Sequence, residues 1–228
     1  VTPLLNGKTT ATYNHNKKAV NVNVGDIVTY TIRVYNEGEI DGYVKEITDH
    51  LPQYLEFVND EFNAQYGWKV SNDGRTVTTD ITSPDTEYSA SRDTLYKDRA
   101  GNIQTFTQEH EKNYTLLKAF YKNSTTLDYI DVKIRCKVKD TIIAEKITNI
   151  ADITKQSDKN GNNITDRDST PGSIKQEDIN TETYTGNKDN KQDLTDKNYN
   201  YKGIEDDDDF EKLVVKGGTF DLALKKFI

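Results

Sequence analysis

The sequence predicts an all-β protein, and three observations support this class. Segments in which apolar and polar residues alternate recur along the chain, as expected of strands that bury one face. Signals for helices are scarce. The tripeptide Asn72-Asp73-Gly74 separates two alternating segments and is typical of a β-hairpin, because Asp-Gly tolerates the positive φ that the turn requires.

The clearest strand lies in the segment V-G-D-I-V-T-Y-T-I-R-V-Y-N-E-G, where apolar residues recur at every second position. The inward set comprises Val28, Tyr30, Ile32 and Val34. The turn residues Asn36-Glu37-Gly38 end this strand. A second strand is predicted from Gly42 to Leu51, and Pro52 ends it.

The hairpin and a long strand follow. Residues 66–71 and 75–82 form the arms of the hairpin, whereas residues 83–112 are polar and are predicted to form an insertion or a long loop. Residues 128–139 then alternate cleanly, with Ile130, Val132, Ile134, Cys136 and Val138 facing inward. Cys136 is therefore predicted to be a small core residue, and as the sole cysteine it excludes an intrachain disulfide.

The C-terminal part of the chain changes character. The last strand of the sandwich is predicted over residues 147–153, so the domain covers residues 1–153. Residues 154–219 form a long polar C-terminal extension. Its acidic run, Glu205–Asp209, is predicted to be a solvated linker, and weak calcium binding is the alternative. Residues 220–228 alternate again and form a separate terminal strand. A lone strand is unstable, so it must pair with a sheet of this chain, of a neighbouring repeat or of another molecule.

Composition and charge exclude several classes of function. The formal net charge is −8 and no basic stripe with interleaved aromatic residues occurs, which argues against nucleic-acid binding. No run of about eighteen apolar residues is present, so membrane insertion is not expected. The motifs of serine hydrolases and zinc proteases and the phosphate-binding loops are absent, so the chain is not predicted to be an enzyme.

One loop has the oxygen-rich spacing of a calcium site. The segment D-K-N-G-N-N-I-T-D-R-D-S-T places carboxylate and amide oxygens at alternate positions, and Ca²⁺ binds about six to eight oxygens. The candidate ligands are Asp158, Asn160, Asn162, Asp166 and Asp168. The segment departs from an EF-hand loop, because its glycine comes early and a serine replaces the final glutamate. A polar turn between two strands is the alternative, and no cofactor other than Ca²⁺ is expected.

Three segments resemble the repeat domains of Gram-positive surface proteins. They are V-G-D-I-V-T-Y-T-I-R-V-Y-N-E-G, E-I-T-D-H-L-P-Q-Y-L-E-F-V and I-T-N-I-A-D-I. The tail, with D-R-D-S-T-P-G and F-D-L-A-L-K-K-F-I, is similar to clostridial versions, in which F-D-L-A-L-x-K opens each repeat. The resemblance is to DUF11-like repeats, related to the A-type collagen-adhesin sandwich, and it implies an immunoglobulin-like β-sandwich.

The resemblance also implies an intramolecular isopeptide bond. In that family a lysine on the first strand bonds to an asparagine on the last strand, assisted by a buried carboxyl group. On this sequence the lysine is Lys226, the asparagine is Asn149 and the carboxyl is Asp49. Asp26 is the alternative carboxyl, although its place after Gly25 favours a turn. Because Lys226 lies at the far end of the chain, it either begins the next repeat or completes a sandwich in cis or in trans.

The alternation of the predicted strands places these three groups on apolar faces. Lys226 follows Leu222 and Leu224 at a period of two, and Asn149 and Asp49 have the same relation to their apolar neighbours. Burial lowers the pKa of a lysine and raises that of a carboxyl, which suits the reaction. The alternatives are structural: a strand-end lysine that reaches water, a carboxyl that caps a turn and an asparagine that satisfies the backbone ladder.

These features predict a structural repeat module of a cell-surface stalk or filament, extracellular and associated with a bacterial cell wall. Its partners would be neighbouring repeats or identical subunits, bound through residues 220–228. The alternative is an adhesin module that recognises a host or matrix protein or a glycan through residues 83–112. A secreted hydrolase is the third class, but no pair of carboxylates stands out to support it.

Overall fold

The strands of the computed structural model form where apolar and polar residues alternate. The structure describes residues 17–82, 95–97, 103–105, 115–119, 128–139, 146–167, 169–174, 207–216 and 226. In chain order the strands are β1 (Val20–Val22), β2 (Ile27–Asn36), β3 (Gly42–His50), β4 (Leu55–Phe57), β5 (Lys69–Val70), β6 (Thr76–Thr79), β7 (Leu95–Lys97), β8 (Ile103–Thr105), β9 (Asp128–Val138), β10 (Lys146–Asp158) and β11 (Asp208–Val215). A short helix, α1 (Glu61–Gln65), follows β4.

Two sheets of the described part of the chain form the sandwich. The larger sheet has the order β1-β11-β10-β3-β6-β5, and the smaller sheet has the order β2-β9-β4. β10 lies antiparallel between β3 and β11, and β2 lies antiparallel to β9. These pairings match strands C, F and G of one sheet and strands B and E of the other sheet in an immunoglobulin-type sandwich. The predicted all-β sandwich is therefore confirmed.

The core lies between the two sheets and is built by the strands that alternate most regularly. Along β9 every second residue is buried, and Val132, Ile134 and Cys136 are fully enclosed. Ile47 and Ile147 of the larger sheet belong to the same apolar cluster. Cys136 is thus a core residue, as its position in the alternation predicts, and burial raises the pKa of its thiol well above the ordinary value.

The sandwich extends beyond the boundary that the sequence predicts at residue 153. β10 continues to Asp158, and β11 lies within residues 154–219, which are predicted to be a connecting segment. Asp208 is buried and Asp209 pairs with Ala151 of β10, so this end of the acidic run is not a solvated linker. Leu213 and Val215, which follow the run, are buried in the core. Their strand begins at Asp208, so the last aspartates of the run belong to the sheet.

The predicted insertion and the predicted terminal strand are described only in part. β7 and β8 lie within residues 83–112 and pair with each other in a separate two-stranded sheet. Of residues 220–228 the described part is Lys226, which is exposed. The adhesin alternative and the pairing of the terminal strand therefore stay predictions. In the described part of the chain, no helix is long and apolar enough to cross a membrane.

Two tight turns set the positions of the strands that flank them. Gly74 has a φ of 68° and Gly25 a φ of 82°, conformations that glycine adopts without steric cost. Gly74 closes the hairpin of β5 and β6, as the sequence predicts. Gly25 lies in the turn that joins β1 to β2, and its backbone amide donates to the carbonyl of Val138 at 2.9 Å. This turn places β2 directly after β1 but in the opposite sheet.

Asn63 fastens the short helix to the smaller sheet. Its Nδ2 donates to the carbonyl oxygens of Val58 at 2.6 Å and Arg135 at 2.8 Å, and its Oδ1 accepts from the backbone amide of Arg135 at 2.8 Å. Asp60 caps the helix by accepting from the backbone amide of Asn63. Because Asn63 is completely buried, loss of its side chain would leave several backbone groups unsatisfied.

Asn63→Ala is expected to lower the free energy of unfolding by about 3 kcal/mol, since buried backbone groups lose their partners. Urea denaturation followed by tryptophan fluorescence measures the change, because Trp68 is buried and donates to the carbonyl oxygen of Lys133 on β9. Glu61→Ala in the exposed first turn is the control and should cost less than about 0.5 kcal/mol. Equal losses in the two variants would contradict the role given to Asn63.

Candidate functional site

A carboxyl group and a carboxamide lie together in the apolar core. Asp49 on β3 and Asn149 on β10 face the space between the sheets, on adjacent strands whose register pairs Asp49 with Ala151. Nδ2 of Asn149 donates to Oδ2 of Asp49 at 2.9 Å. Asp49 is 0% exposed and Asn149 is 4% exposed. The structure thus brings together two of the three groups that the family resemblance implies.

Three buried polar atoms in this part of the core have no hydrogen-bond partner among the described residues. They are Oδ1 of Asp49, Oδ1 of Asn149 and the hydroxyl oxygen of Tyr30 on β2. Buried polar atoms are normally paired, because an unpaired one costs about 1–3 kcal/mol. Unpaired groups in a native core therefore indicate a position at which a further polar group would be stabilised.

Burial controls the proton affinity of Asp49. Burial raises the pKa of Asp49 to about 7, and the hydrogen bond from Asn149 and the nearby His50 lower it only in part. Burial also raises the pKa of the Tyr30 hydroxyl well above its ordinary value. Near neutral pH the Asp49 carboxyl can therefore both give up and accept a proton, as a general acid or base requires.

The opposite face of the larger sheet carries a second buried polar pair. Nε2 of His50 lies 2.8 Å from Oδ1 of Asp152, and both side chains are almost fully enclosed. Each residue is adjacent in sequence to a residue that faces the core, so alternation directs the pair away from Asp49. The pair still acts on the carboxyl through the sheet, because His50 lowers and Asp152 raises the pKa of Asp49.

Lys17, just before β1, is a buried cation that the sequence pattern does not reveal. Its side chain is 1% exposed, and Nζ donates to Oδ2 of Asp209 at 2.6 Å and to Oε1 of Glu211 at 3.0 Å. Glu211 pairs with Asn149 across β10 and β11, so this ion pair borders the Asp49–Asn149 pair. Burial lowers the pKa of Lys17, but the two carboxylates more than offset that effect and its pKa is raised. Lys17 therefore holds its proton.

The predicted lysine of the crosslink and the alternative carboxyl, Asp26, lie away from the Asp49–Asn149 pair. Lys226 is exposed, and the structure does not bring it to Asn149. Oδ2 of Asp26 accepts from the backbone amide of Asn23 at 2.7 Å and from its Nδ2 at 3.1 Å, so Asp26 caps the turn between β1 and β2. The bond between Lys226 and Asn149 stays a prediction.

The predicted calcium loop begins in a turn whose polar groups satisfy one another. Asp158 ends β10, and its Oδ1 accepts from the backbone amides of Asn160 at 2.8 Å and Asn162 at 2.9 Å. Its Oδ2 accepts from Nδ2 of Asn162 at 2.9 Å. The side-chain bond from Asn162 is the main cause of the lowered pKa of Asp158. These bonds are those of a self-capped polar turn.

The other predicted calcium ligands are more distant along the loop. Oδ2 of Asp166 accepts from Nε2 of Gln156 at 3.5 Å, and Asp168 lies outside the described residues. Across the described ranges no three His, Cys, Asp or Glu side chains cluster to hold a metal ion. The calcium site therefore stays a prediction, beside the polar turn that the sequence leaves open.

The fold and the buried pair define a β-sandwich with an acid and an amide on neighbouring strands of its core. When Asp49 is protonated, a half-turn of the Asn149 amide makes the acid the donor and the amide oxygen the acceptor. Such a hydrogen bond in an apolar surrounding polarises the amide carbon. The arrangement is therefore suited to attack on Asn149 by an amine that enters the core.

Comparison with known proteins adds little to this description. No family model and no curated protein matches the chain. A solved structure that it resembles is the pilus backbone protein RrgB from Streptococcus pneumoniae, at 10% sequence identity and a TM-score of 0.30. The similarity covers 60% of this chain and 26% of that chain, so this chain spans about a quarter of that length. A TM-score at this level does not establish a common fold, and the fold class rests on the strand pairings themselves.

Asp49→Asn should change how stability depends on pH. Between about pH 4 and pH 7 the carboxyl of the unfolded chain ionises while the buried one stays protonated, so the wild type loses stability as pH rises. At about 1.4 kcal/mol per pKa unit, the loss from this residue is about 4 kcal/mol, and the variant lacks it. Urea denaturation at a series of pH values, in a Lys226→Ala background that removes the candidate crosslink, measures the difference. A constant difference across this pH range would contradict the burial of an ionisable Asp49.

Asp158→Ala should lower the melting temperature slightly and by the same amount in excess calcium and in a chelator, because the turn loses its cap in both conditions. Differential scanning calorimetry measures the two shifts. Thr165→Ala, an exposed change in the same loop, is the control. A calcium-dependent rise in melting temperature that Asp158→Ala abolishes would instead establish the calcium site.

Proposed function

We propose that this chain is a non-enzymatic structural module of a bacterial cell-surface stalk or filament, stabilised by a self-formed isopeptide bond and joined to its neighbours by strand donation. The observation that carries the proposal is the buried Asp49–Asn149 pair, which combines a carboxyl of near-neutral pKa with an amide in an apolar core. The wider assignment to a Gram-positive surface protein follows the sequence resemblance. An extracellular location goes with it.

The proposed reaction needs no group other than those of the chain. The neutral Nζ of Lys226 attacks Cγ of Asn149, a new C–N bond forms and the bond from Cγ to Nδ2 breaks. Asp49 accepts a proton from the attacking amine and returns one to the leaving nitrogen, which departs as ammonia. The step is neither oxidation nor reduction, and it occurs once because Asn149 is consumed. The folded core would hold the reacting groups close together, and this proximity would accelerate the reaction.

Lys226 is a better candidate for the amine than Lys17. Two carboxylates at 2.6 Å and 3.0 Å keep Lys17 protonated, and a protonated amine has no lone pair for attack. Lys226 belongs to the segment that the proposal places in the apolar core, where burial disfavours the charged form of an amine. Lys17 instead holds β11 at the edge of the site.

A covalent bond at this position would suit a load-bearing module. Asn149 lies on β10, which pairs with β3 on one side and β11 on the other, so a bond at this residue would tie the added strand to an interior strand of the larger sheet. The chain has a single cysteine and cannot form an internal disulfide. An amide crosslink would give the restraint on unfolding that a disulfide gives in other extracellular proteins.

The intact mass of the purified, denatured protein should be lower than the mass of its sequence by one ammonia for each bond formed. Digestion followed by tandem mass spectrometry should place the bond between Lys226 and Asn149. Asn149→Ala and Asp49→Ala should restore the full mass, whereas Asp26→Ala should not. A bond from Asn149 to Lys17 would overturn the choice of lysine, and a full mass under all conditions of growth and storage would overturn the crosslink.

A further inference from the structure

β2 is the last strand on its side of the smaller sheet within the described residues. It pairs with β9 along its whole length, and no described strand pairs with its other edge. A strand of 10 residues with an open edge is a template for another strand. Its inward side chains Val28, Tyr30 and Ile32 pack against the core but are only partly buried, as expected beside an edge that no described strand covers.

We propose that the open edge of β2 binds residues 220–228 of a second copy of this chain, as an antiparallel strand that places Lys226 beside Tyr30. The inference rests on the proposed function and names the docking surface and the partner of the same site. Three observations carry it: the direction of the backbone groups of β2, the match between the two strands, and the distance that prevents the same pairing within one chain.

The backbone of β2 presents the groups that an added strand requires. The amide of Val138 donates to the carbonyl oxygen of Asp26 at 2.9 Å, and hydrogen-bonded pairs alternate along an antiparallel ladder. The backbone groups of Tyr30 are therefore directed at β9. Those of Thr29 and Thr31 are directed at the open edge, where a donated strand would accept and donate hydrogen bonds.

One register satisfies both the length and the chemistry of the two strands. With Lys226 opposite Tyr30, antiparallel pairing places Leu224 opposite Ile32, Leu222 opposite Val34 and Phe220 opposite Asn36. Leu224 and Ile228 of the donor then cover the partly buried Ile32 and Val28, and the donor fits within the length of β2. Lys226 and Tyr30 form a non-hydrogen-bonded pair in this register, in which side chains approach most closely.

The open edge also corresponds to a defined position in the fold. In an immunoglobulin-type sandwich strand B pairs with strand A, the first strand of the domain. β2 has the position of strand B, so residues 220–228 of a second copy would supply strand A. Lys226 would then point into the core at the level of Tyr30, whose hydroxyl is one of the three unpartnered atoms beside Asp49 and Asn149.

Distance prevents this pairing within a single chain. Lys216 donates its backbone amide to the carbonyl oxygen of Val22 at 2.9 Å, so β11 ends beside the end of β1, close to the start of β2 at Ile27. An antiparallel partner of β2 must begin at the other end, near Asn36, which is about 30 Å away at about 3.4 Å per residue. The step from Lys216 to Phe220 can span at most about 14 Å. The donor is therefore a different molecule.

The contact is heterologous, because the donated strand and the accepting edge are different surfaces of the chain. Each copy can accept one strand and donate another, so the contact repeats without closing and generates an open filament. The covalent step is that of the proposed function: Nζ of Lys226 from one copy joins Cγ of Asn149 from the next, and ammonia leaves. Each crosslink then fixes one more docked copy in the filament.

Two full-length variants with complementary defects test the covalent contact. Lys226→Ala retains the accepting site, and Asn149→Ala retains the donor strand, so neither should form covalent products alone. Their mixture should give a boiling-resistant dimer that does not grow further, and mass spectrometry should find one ammonia lost per dimer. A lighter monomer in the wild type, with no covalent dimer in the mixture, would overturn the docking surface while retaining the crosslink of the proposed function.

A second measurement tests the edge without the reaction. The probe is a fluorescent peptide of residues 219–228 carrying Lys226→Ala, titrated with the Lys226→Ala protein and followed by anisotropy. Thr31→Pro in the protein removes one backbone donor at the open edge and should weaken binding about tenfold or more, whereas Thr31→Ala should leave it within about twofold. Binding of the peptide, with no covalent dimer in the mixture of the Lys226→Ala and Asn149→Ala proteins, would support the docking surface and contradict only the crosslink.

Equal binding by the two Thr31 variants, or no binding by either, would overturn the docking surface. Circular dichroism checks that Thr31→Pro is folded. If it is not, hydrogen exchange of the Lys226→Ala protein decides the question, because the peptide should slow exchange at the amides of Thr29 and Thr31. Unchanged exchange at both amides would overturn the proposal.

Discussion

The antiparallel pairing of β10 with β3 on one side and β11 on the other is the interaction on which the rest of the structure depends. Through it, Asn149 comes to lie beside Asp49 of one neighbour and opposite Glu211 of the other. Ile147 and Ile150 are fully buried on opposite faces of the same strand, so both faces of the sheet are covered at this point. The buried carboxyl–amide pair therefore lies on a strand that is hydrogen-bonded on both sides, and these bonds oppose small movements of its groups.

The burial that suits Asp49 to the proposed reaction also makes its ionised form costly. An ionised carboxylate in an apolar core loses its hydration, and the single hydrogen bond from Asn149 restores only part of that loss. The fold therefore keeps a group that reduces stability near neutral pH, which is expected where a local conflict serves a function. Formation of the proposed amide bond would add a permanent covalent restraint that opposes unfolding, and it would remove the charge of the lysine from the core.

The proposed docking would give residues 220–228 a physical role, because they would cover the open edge of β2. An exposed edge strand invites uncontrolled association, and proteins limit this with charges along the edge. Arg33 of β2 makes a bidentate ion pair with Asp131 at 2.6 Å and 2.8 Å and stacks over the ring of Tyr129 at 4.0 Å, which gives the solvent face of this region a charged character. In the proposed docking, the edge would select its donor strand by the inward face of that strand, which must carry apolar side chains and a lysine together.

The sequence by itself determined the strands with strict alternation and the faces of their residues, because a period of two is a local property of an extended backbone. Asp49, Asn149 and Cys136 could be assigned to inward faces on this basis. It did not reveal β11, since the strand follows an acidic run, nor the burial of Lys17, whose partner Asp209 is 192 positions away. The meeting of Asp49 with Asn149 across 100 positions and the open edge of β2 were decided by tertiary structure alone, because strand pairing depends on contacts between distant segments that no local pattern encodes.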